Sequence, residues 1–257
     1  MSTRRQAKYR GFSRSRWADK KSALVSRCPL PLGENRGEVL AKTDGVSLSI
    51  DGKRVRAAPG QKVLWAALDN DIYIPNLCAI REKEEPAAAC RLCFVEVQGE
   101  GHPVPACTTP VTEGMVVNTR GGRALRLART NLELLLASHP VDCGNCVANG
   151  SCELQNLARH LGLRLNTKRF TKILPGLPVD ETSSLFVYDP NKCVLCGRCV
   201  WLCCEKLGIG AIGFAYRGFR RMVTTFGDEP LGRSGCDNCS ECVTVCPVGA
   251  LALRKAT

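Results

Sequence analysis

Cys193-Val194-Leu195-Cys196-Gly197-Arg198-Cys199-Val200-Trp201-Leu202-Cys203 and Cys236-Asp237-Asn238-Cys239-Ser240-Glu241-Cys242-Val243-Thr244-Val245-Cys246-Pro247 are two copies of one run, C-x2-C-x2-C-x3-C. Eight thiols at such spacing form either a disulfide framework or a metal site. A framework needs an oxidising compartment and therefore an export signal. The twin arginines Arg4 and Arg5 are followed by Gln6-Ala7-Lys8-Tyr9-Arg10 rather than by an apolar stretch. No segment reaches the length of a membrane span. A reducing cytoplasm is the expected location, and there dense cysteine means metal.

Upstream of the repeat lie two further groups. Cys78, Cys90, Cys93 and Cys107 are spaced C-x11-C-x2-C-x13-C, and the C-x2-C pair puts two thiolates on neighbouring backbone turns. Four cysteines also suit zinc, which remains the competing reading of that set. His139 precedes Cys143, Cys146 and Cys152 as H-x3-C-x2-C-x5-C. A lone histidine is ordinarily a surface or core residue, but three cysteines at ligand spacing within thirteen positions make this one a candidate ligand. A neutral imidazole in place of a thiolate would leave such a centre less negative and easier to reduce. His102 and His160 have no such company and read as ordinary residues.

Around these groups the chain has 257 residues, 17 cysteines, 5% aromatics and a net charge of +12. Residues 1 to 40 hold ten Lys or Arg against three acids, with Arg, Ser, Gly and Pro but no apolar period. Residues 1–42 therefore read as a basic extension that is disordered or docks onto an acidic partner. Val46, Leu48 and Ile50 alternate with polar residues, Asp51-Gly52 supplies a hairpin turn, and Val55 resumes a strand. Val63, Leu64, Ala67 and Leu68 recur at helical spacing up to Asn70-Asp71. Phe94, Val95 and Val97, then Val116 and Val117, predict two more strands, so residues 43–119 form a small sheet with one helix and a long cysteine loop. Gly122 to Ser138 is a helix whose apolar face holds Leu125, Leu127, Ala128, Leu132, Leu135 and Leu136. A short helix follows from Cys152 through His160, giving a helical unit over 120–162. Residues 163–184 form a strand-and-loop connector with Pro175 and Pro178, and 185–257 contain the repeat. The class is α+β.

The repeat resembles the bacterial ferredoxin run, in which the fourth cysteine of each run ligates the other cluster. That resemblance implies one [4Fe-4S] set of Cys193, Cys196, Cys199 and Cys246, and a second of Cys203, Cys236, Cys239 and Cys242. Position 204, where proline is usual, is cysteine; Cys204 reads as a buried thiol, and Cys28 as a free thiol in the extension. Arg91-Leu92-Cys93-Phe94-Val95-Glu96-Val97 and Ala106-Cys107-Thr108-Thr109-Pro110-Val111 resemble the loop of β-grasp [2Fe-2S] ferredoxins in the spacing found within respiratory NADH dehydrogenases. The string from His139 to Leu157, with Cys152-Glu153-Leu154-Gln155, is similar to the [4Fe-4S] segment with one histidine and three cysteine ligands in the large iron-sulfur subunit of NADH dehydrogenase. Gly210-Ala211-Ile212-Gly213-Phe214-Ala215-Tyr216-Arg217-Gly218-Phe219 is similar as well. Residues 43 to 257 thus resemble the N-terminal part of that subunit. With Thr257 as the last residue, the closer likeness is to its short relatives, such as the diaphorase iron-sulfur subunit of NAD-linked hydrogenases.

The resemblance implies one [2Fe-2S] cluster and three [4Fe-4S] clusters, which use fifteen cysteines and His139 as sixteen ligands. It also implies an electron-transfer subunit without catalytic residues of its own, placed between a flavin- and NAD-binding subunit and a catalytic oxidoreductase subunit. Related subunits serve formate dehydrogenases, bifurcating complexes and benzoyl-CoA reductase assemblies. The alternative is a zinc-stabilised nucleic-acid binder, motivated by a pI of 9.1 and by Tyr9, Phe12 and Trp17 among arginines. The internal repeat argues against it. Gly208-x-Gly210-x-x-Gly213 matches a dinucleotide fingerprint but follows the helix carrying Cys203 and precedes no helix start, so its glycines are read as turn residues.

Overall fold

The computed structural model describes residues 45–254, so the basic extension and Cys28 lie outside the described residues. β1 (Val46–Ile50) and β2 (Lys53–Ala57) pair antiparallel. Asp51 and Gly52 join them with positive φ at both positions, 51° and 80°, matching the twist of the flanking strands. α1 (Val63–Leu68) turns Val63, Leu64, Ala66 and Ala67 inward. β3 (Phe94–Val97), β4 (Val104–Pro105) and β5 (Val116–Asn118) complete a five-stranded sheet of order β2-β1-β5-β3-β4. β5 runs parallel to β1, with Ile50 opposite Val117, and the other pairs are antiparallel. Leu48, Ile50, Val55, Val95 and Val117 alternate onto one face and close a core with α1 and Ile74. The two-residue β4 was not foreseen, being too short to carry a period.

α2 (Gly122–Ala137) has no cap of its own. Glu96 of β3 supplies one, its carboxylate accepting from the backbone N–H of Arg123 at 2.9 Å and of Ala124 at 3.2 Å. A Cβ at Gly121 would lie 2.2 to 2.5 Å from that carboxylate, so glycine is what admits the cap. The buried stripe of α2 is Ala124, Ala128, Leu132, Glu133 and Leu136; Leu127, expected on it, is exposed. α3 (Glu153–Leu161) ends on Gly162 with φ 64°, and its Leu154, Leu157, Ala158 and Leu161 pack with α2.

The connector holds no strand, contrary to the sequence reading; only an isolated bridge forms, Asp180 to Tyr188. Pro175 and Pro178 remove two donors from any ladder. Side chains replace the ladder: Asn191 accepts from Leu177 N and donates to Leu177 O, both at 2.8 Å. Glu133, buried on α2, pairs with Arg169 at 2.7 Å and accepts from Thr167 at 3.2 Å. Beyond it, β6 (Phe186–Tyr188) pairs antiparallel with β9 (Leu251–Leu253), and β7 (Ile212–Ala215) with β8 (Met222–Thr225). Two four-residue helices, α4 (Arg198–Trp201) and α5 (Glu241–Thr244), carry the repeat. Gly208 and Gly210 have φ of 70° and 65°, as turn residues do, whereas Gly213, also read as a turn residue, lies in β7. Among the described residues no helix is long and apolar enough to cross a membrane.

Candidate metal centres

The first set sits where the irregular chain between α1 and β3 folds against the sheet. Cys78, Cys90, Cys93 and Cys107 are all buried. Cys93 ends that loop and Cys107 follows β4, and the bond from Ala106 N to Cys93 O, 2.8 Å, holds the two together. Arg91 and Ala88 take positive φ, 54° and 46°, which coils the loop back upon itself. The Sγ atoms of Cys78 and Cys90 are 3.5 Å apart, and the Cys90 N–H points at Cys78 Sγ over the same distance. Hydrogen bonding from the Cys90 thiol brings Cys78 down to about 6 despite burial. Cys93 acts likewise on Cys107, and Cys90 and Cys93 are correspondingly pushed up.

The second set lies between α2 and α3. Cys143 opens a single turn, Cys143–Asn145, Cys146 ends it, and Cys152 is the residue just before α3. His139 follows the end of α2; its Nδ1 is buried with no hydrogen-bond partner. Burial depresses the His139 pKa, and the Lys192 backbone opposes this only in part, so the ring is held neutral, the form a metal ligand requires. Burial, then Cys146 and Cys143, push the Cys152 thiol up. Gly249, distant in sequence, closes this set from the other side. A Cβ there would come within 2.7 Å of Cys146 Sγ, while Glu153 N donates to Pro247 O at 2.9 Å. Nothing in the sequence singles out Gly249 beyond its place three residues past the last cysteine of the repeat. Gly249→Ala should displace Cys146 and cost about 1–3 kcal/mol. Iron analysis and thermal unfolding would register this, whereas Gly144→Ala, with open space around it, should be silent.

The repeat supplies the other two sets. Electrostatic coupling reaches Cys246 from Cys193, Cys196 and Cys199. It reaches Cys203 from Cys236 and Cys242, with Cys239 as a further neighbour of both. Each fourth cysteine is thus an electrostatic neighbour of thiols in the other run. After α4 the chain passes into a wider turn, Leu202–Lys206, in which Leu207 N bonds back five residues to Leu202 O at 2.9 Å. Cys203 lies within this turn. Burial, then neighbouring thiols, push Cys196 and Cys242 up to about 12 each. The Tyr188 hydroxyl faces Cys193 and donates to Val223 O at 2.8 Å. A cleft of about 920 Å3 between the connector and the β7–β8 hairpin reaches Cys193 and Tyr188. Cys204, read as a buried thiol, is half-buried and has an interaction of its own.

The donors suit an iron-sulfur group. Buried thiols that raise one another's pKa cannot ionise together unpaid; soft, multiply charged metal supplies the missing positive charge. Among the described residues no three His, Cys, Asp or Glu side chains converge tightly enough to hold a single ion. His139 Nδ1 adds an orphaned buried nitrogen to one of the sets.

Three stretches match known families. Residues 43–122 match a 2Fe-2S iron-sulfur cluster binding domain, 129–166 the NADH-ubiquinone oxidoreductase-G iron-sulfur binding region, and 184–252 the ferredoxin-like domain of NADH-quinone oxidoreductase subunit 3. The chain is 39% identical over 210 residues to the NADP-reducing hydrogenase subunit HndD of Solidesulfovibrio fructosivorans, covering 80% of this chain and 36% of that protein. It is 38% identical over 206 residues to the NADPH-Fe(3+) oxidoreductase subunit alpha of Geobacter sulfurreducens, covering 80% and 24%. The chain thus spans about a third or less of the length of these curated relatives. A chain in the crystal structure of an NAD+-reducing [NiFe]-hydrogenase in the H2-reduced state superposes with a TM-score of 0.74 at 31% identity, over 82% of this chain and 88% of that one.

Proposed function

This chain belongs to the iron-sulfur subunit family shared by NAD(P)H-linked hydrogenases and NADH-quinone oxidoreductases, and we propose that it conducts single electrons through four clusters. Residues 43–119 are a β-grasp module holding [2Fe-2S] on Cys78, Cys90, Cys93 and Cys107. Residues 120–162 are a helical module holding [4Fe-4S] on His139, Cys143, Cys146 and Cys152, and 163–184 connect it to the last module. Residues 185–257 hold two [4Fe-4S] clusters, one on Cys193, Cys196, Cys199 and Cys246, the other on Cys203, Cys236, Cys239 and Cys242. The clusters supply one-electron chemistry when bound. The chain's own residues position the ligands and keep His139 neutral, and the apolar packing of α2, α3 and β6 shields Cys152, Cys196, Cys199 and Cys203 from water. The partners are a flavin- and NAD-binding subunit and a catalytic oxidoreductase subunit.

One observation supports this reading: Cys246 is an electrostatic neighbour of Cys193, Cys196 and Cys199, and Cys203 of Cys236 and Cys242, as two clusters with exchanged fourth ligands would require and two independent tetrathiolate knuckles would not. Iron and acid-labile sulfide analysis of anaerobically purified protein, with electron paramagnetic resonance after reduction, tests it. Roughly fourteen irons per chain are expected. Zinc without sulfide would instead favour the zinc-stabilised nucleic-acid binder and end the proposal.

A further inference from the structure

The two halves of the repeat share one backbone and differ in charge. Leu195 and Asn238 have φ of 54° and 55°, Gly197 and Ser240 have φ of 79° and 57°, and α4 and α5 begin directly afterwards. Arg198 and Glu241 therefore occupy equivalent places, each the first residue of its helix and each between two candidate ligands. The loop from Cys193 to Cys199 contains Val194 and Arg198, and that from Cys236 to Cys242 contains Asp237 and Glu241, so one loop is +1 and the other −2.

Arg198 stands between Cys196 and Cys199, whereas Asp237 lies between Cys236 and Cys239 and Glu241 between Cys239 and Cys242. Among the described residues just two buried side-chain nitrogens lack a hydrogen-bond partner, His139 Nδ1 and Arg198 Nε. The first lies in a candidate ligand set. The second is a buried donor without an acceptor, on the residue directly before Cys199. Glu241 is exposed, whereas Arg198 is half-buried.

We propose that Arg198 and the acidic pair Asp237 and Glu241 separate the two clusters of the repeat in reduction potential, Arg198 easing reduction at its centre and the acids hindering it at theirs. The inference rests on the four-cluster reading. Reduction adds one electron and one negative charge to a centre, and no bond forms or breaks. A guanidinium beside the sulfurs stabilises the added charge, and a carboxylate opposes it. Arg198 also counters a penalty on its side, because Cys196 and Cys199 are buried while Cys239 of the other set is exposed, and burial disfavours added negative charge.

Potentiometric titration of the full chain, followed by electron paramagnetic resonance, tests this with Arg198→Gln and Glu241→Gln. Arg198→Gln should make one [4Fe-4S] step about tenfold less favourable, a shift of about −59 mV for one electron. Glu241→Gln should move a different step the opposite way, by less, and the shift should fade at high salt because the group is exposed. Unmoved steps in Arg198→Gln protein with its full complement of iron would overturn the inference. Should Arg198→Gln lose iron, Glu241→Gln at low salt decides, and a step that stays put there overturns it equally. Low iron and sulfide in the unsubstituted protein would instead count against the four-cluster reading itself.

Discussion

Alanine in place of Cys246 should leave roughly ten of the fourteen irons per chain. The centre lost should be the one built on Cys193, Cys196 and Cys199, far away in sequence. These three thiols couple to Cys246, and Cys199 alone of them also senses a thiol of the other set, Cys242. Cys203→Ala should do the converse, removing the centre of Cys236, Cys239 and Cys242. The assignment is read by matching spectra: Cys246→Ala should share its missing resonance with Cys196→Ala, and Cys203→Ala with Cys239→Ala. A resonance shared between Cys246→Ala and Cys239→Ala would mean that each run closes on its own fourth cysteine, and the crossed sets would be wrong.

Stripping iron with a chelator should collapse the repeat-bearing part and spare the sheet. α4 and α5 are four residues each and β6 and β9 three, lengths that have no independent stability in water. Cys196, Cys199 and Cys203 are themselves part of the buried core there, so without metal that core contains thiols in place of a cross-link. Residues 46–118, by contrast, close a core in which Cys93 and Cys107 are outnumbered by aliphatic side chains such as Leu48, Ile50, Val55, Leu64, Ile74, Val95 and Val117, on a five-stranded sheet. Limited proteolysis of the stripped protein should cut residues 186–254 at least about tenfold faster than in the loaded protein, equivalent to ~1.4 kcal/mol of lost protection. A fragment containing the five-stranded sheet should persist. Equal resistance of both parts after iron removal would show that packing alone maintains the repeat.

Local periodicity was legible wherever an element is long enough to repeat. The hairpin Val46–Ala57, α1, β3, β5, α2 and α3 lie where alternation or helical spacing puts them. β4 has two residues and no period to read. The connector mixes apolar residues with prolines, and its conformation is set by distant partners, Glu133 for Arg169 and Asn191 for Leu177, so no local pattern could reveal that it forms no strand. Leu127 has the right composition for the α2 core but faces away, because α3 covers only the stripe of Ala128, Leu132 and Leu136.

The sequence by itself determined the ligand types, their grouping and the repeat, because a C-x2-C-x2-C spacing needs only one short stretch of chain to present its thiols. Which distant thiol completes each half of the repeat is a matter of tertiary structure: the pairing of β6 with β9 brings the two ends of this part together. The need for glycine at 249, set by the 2.7 Å approach to Cys146, and the orphaned donor of Arg198 were decided there as well. Each depends on atoms remote in sequence occupying the same space, and a linear pattern carries no record of that.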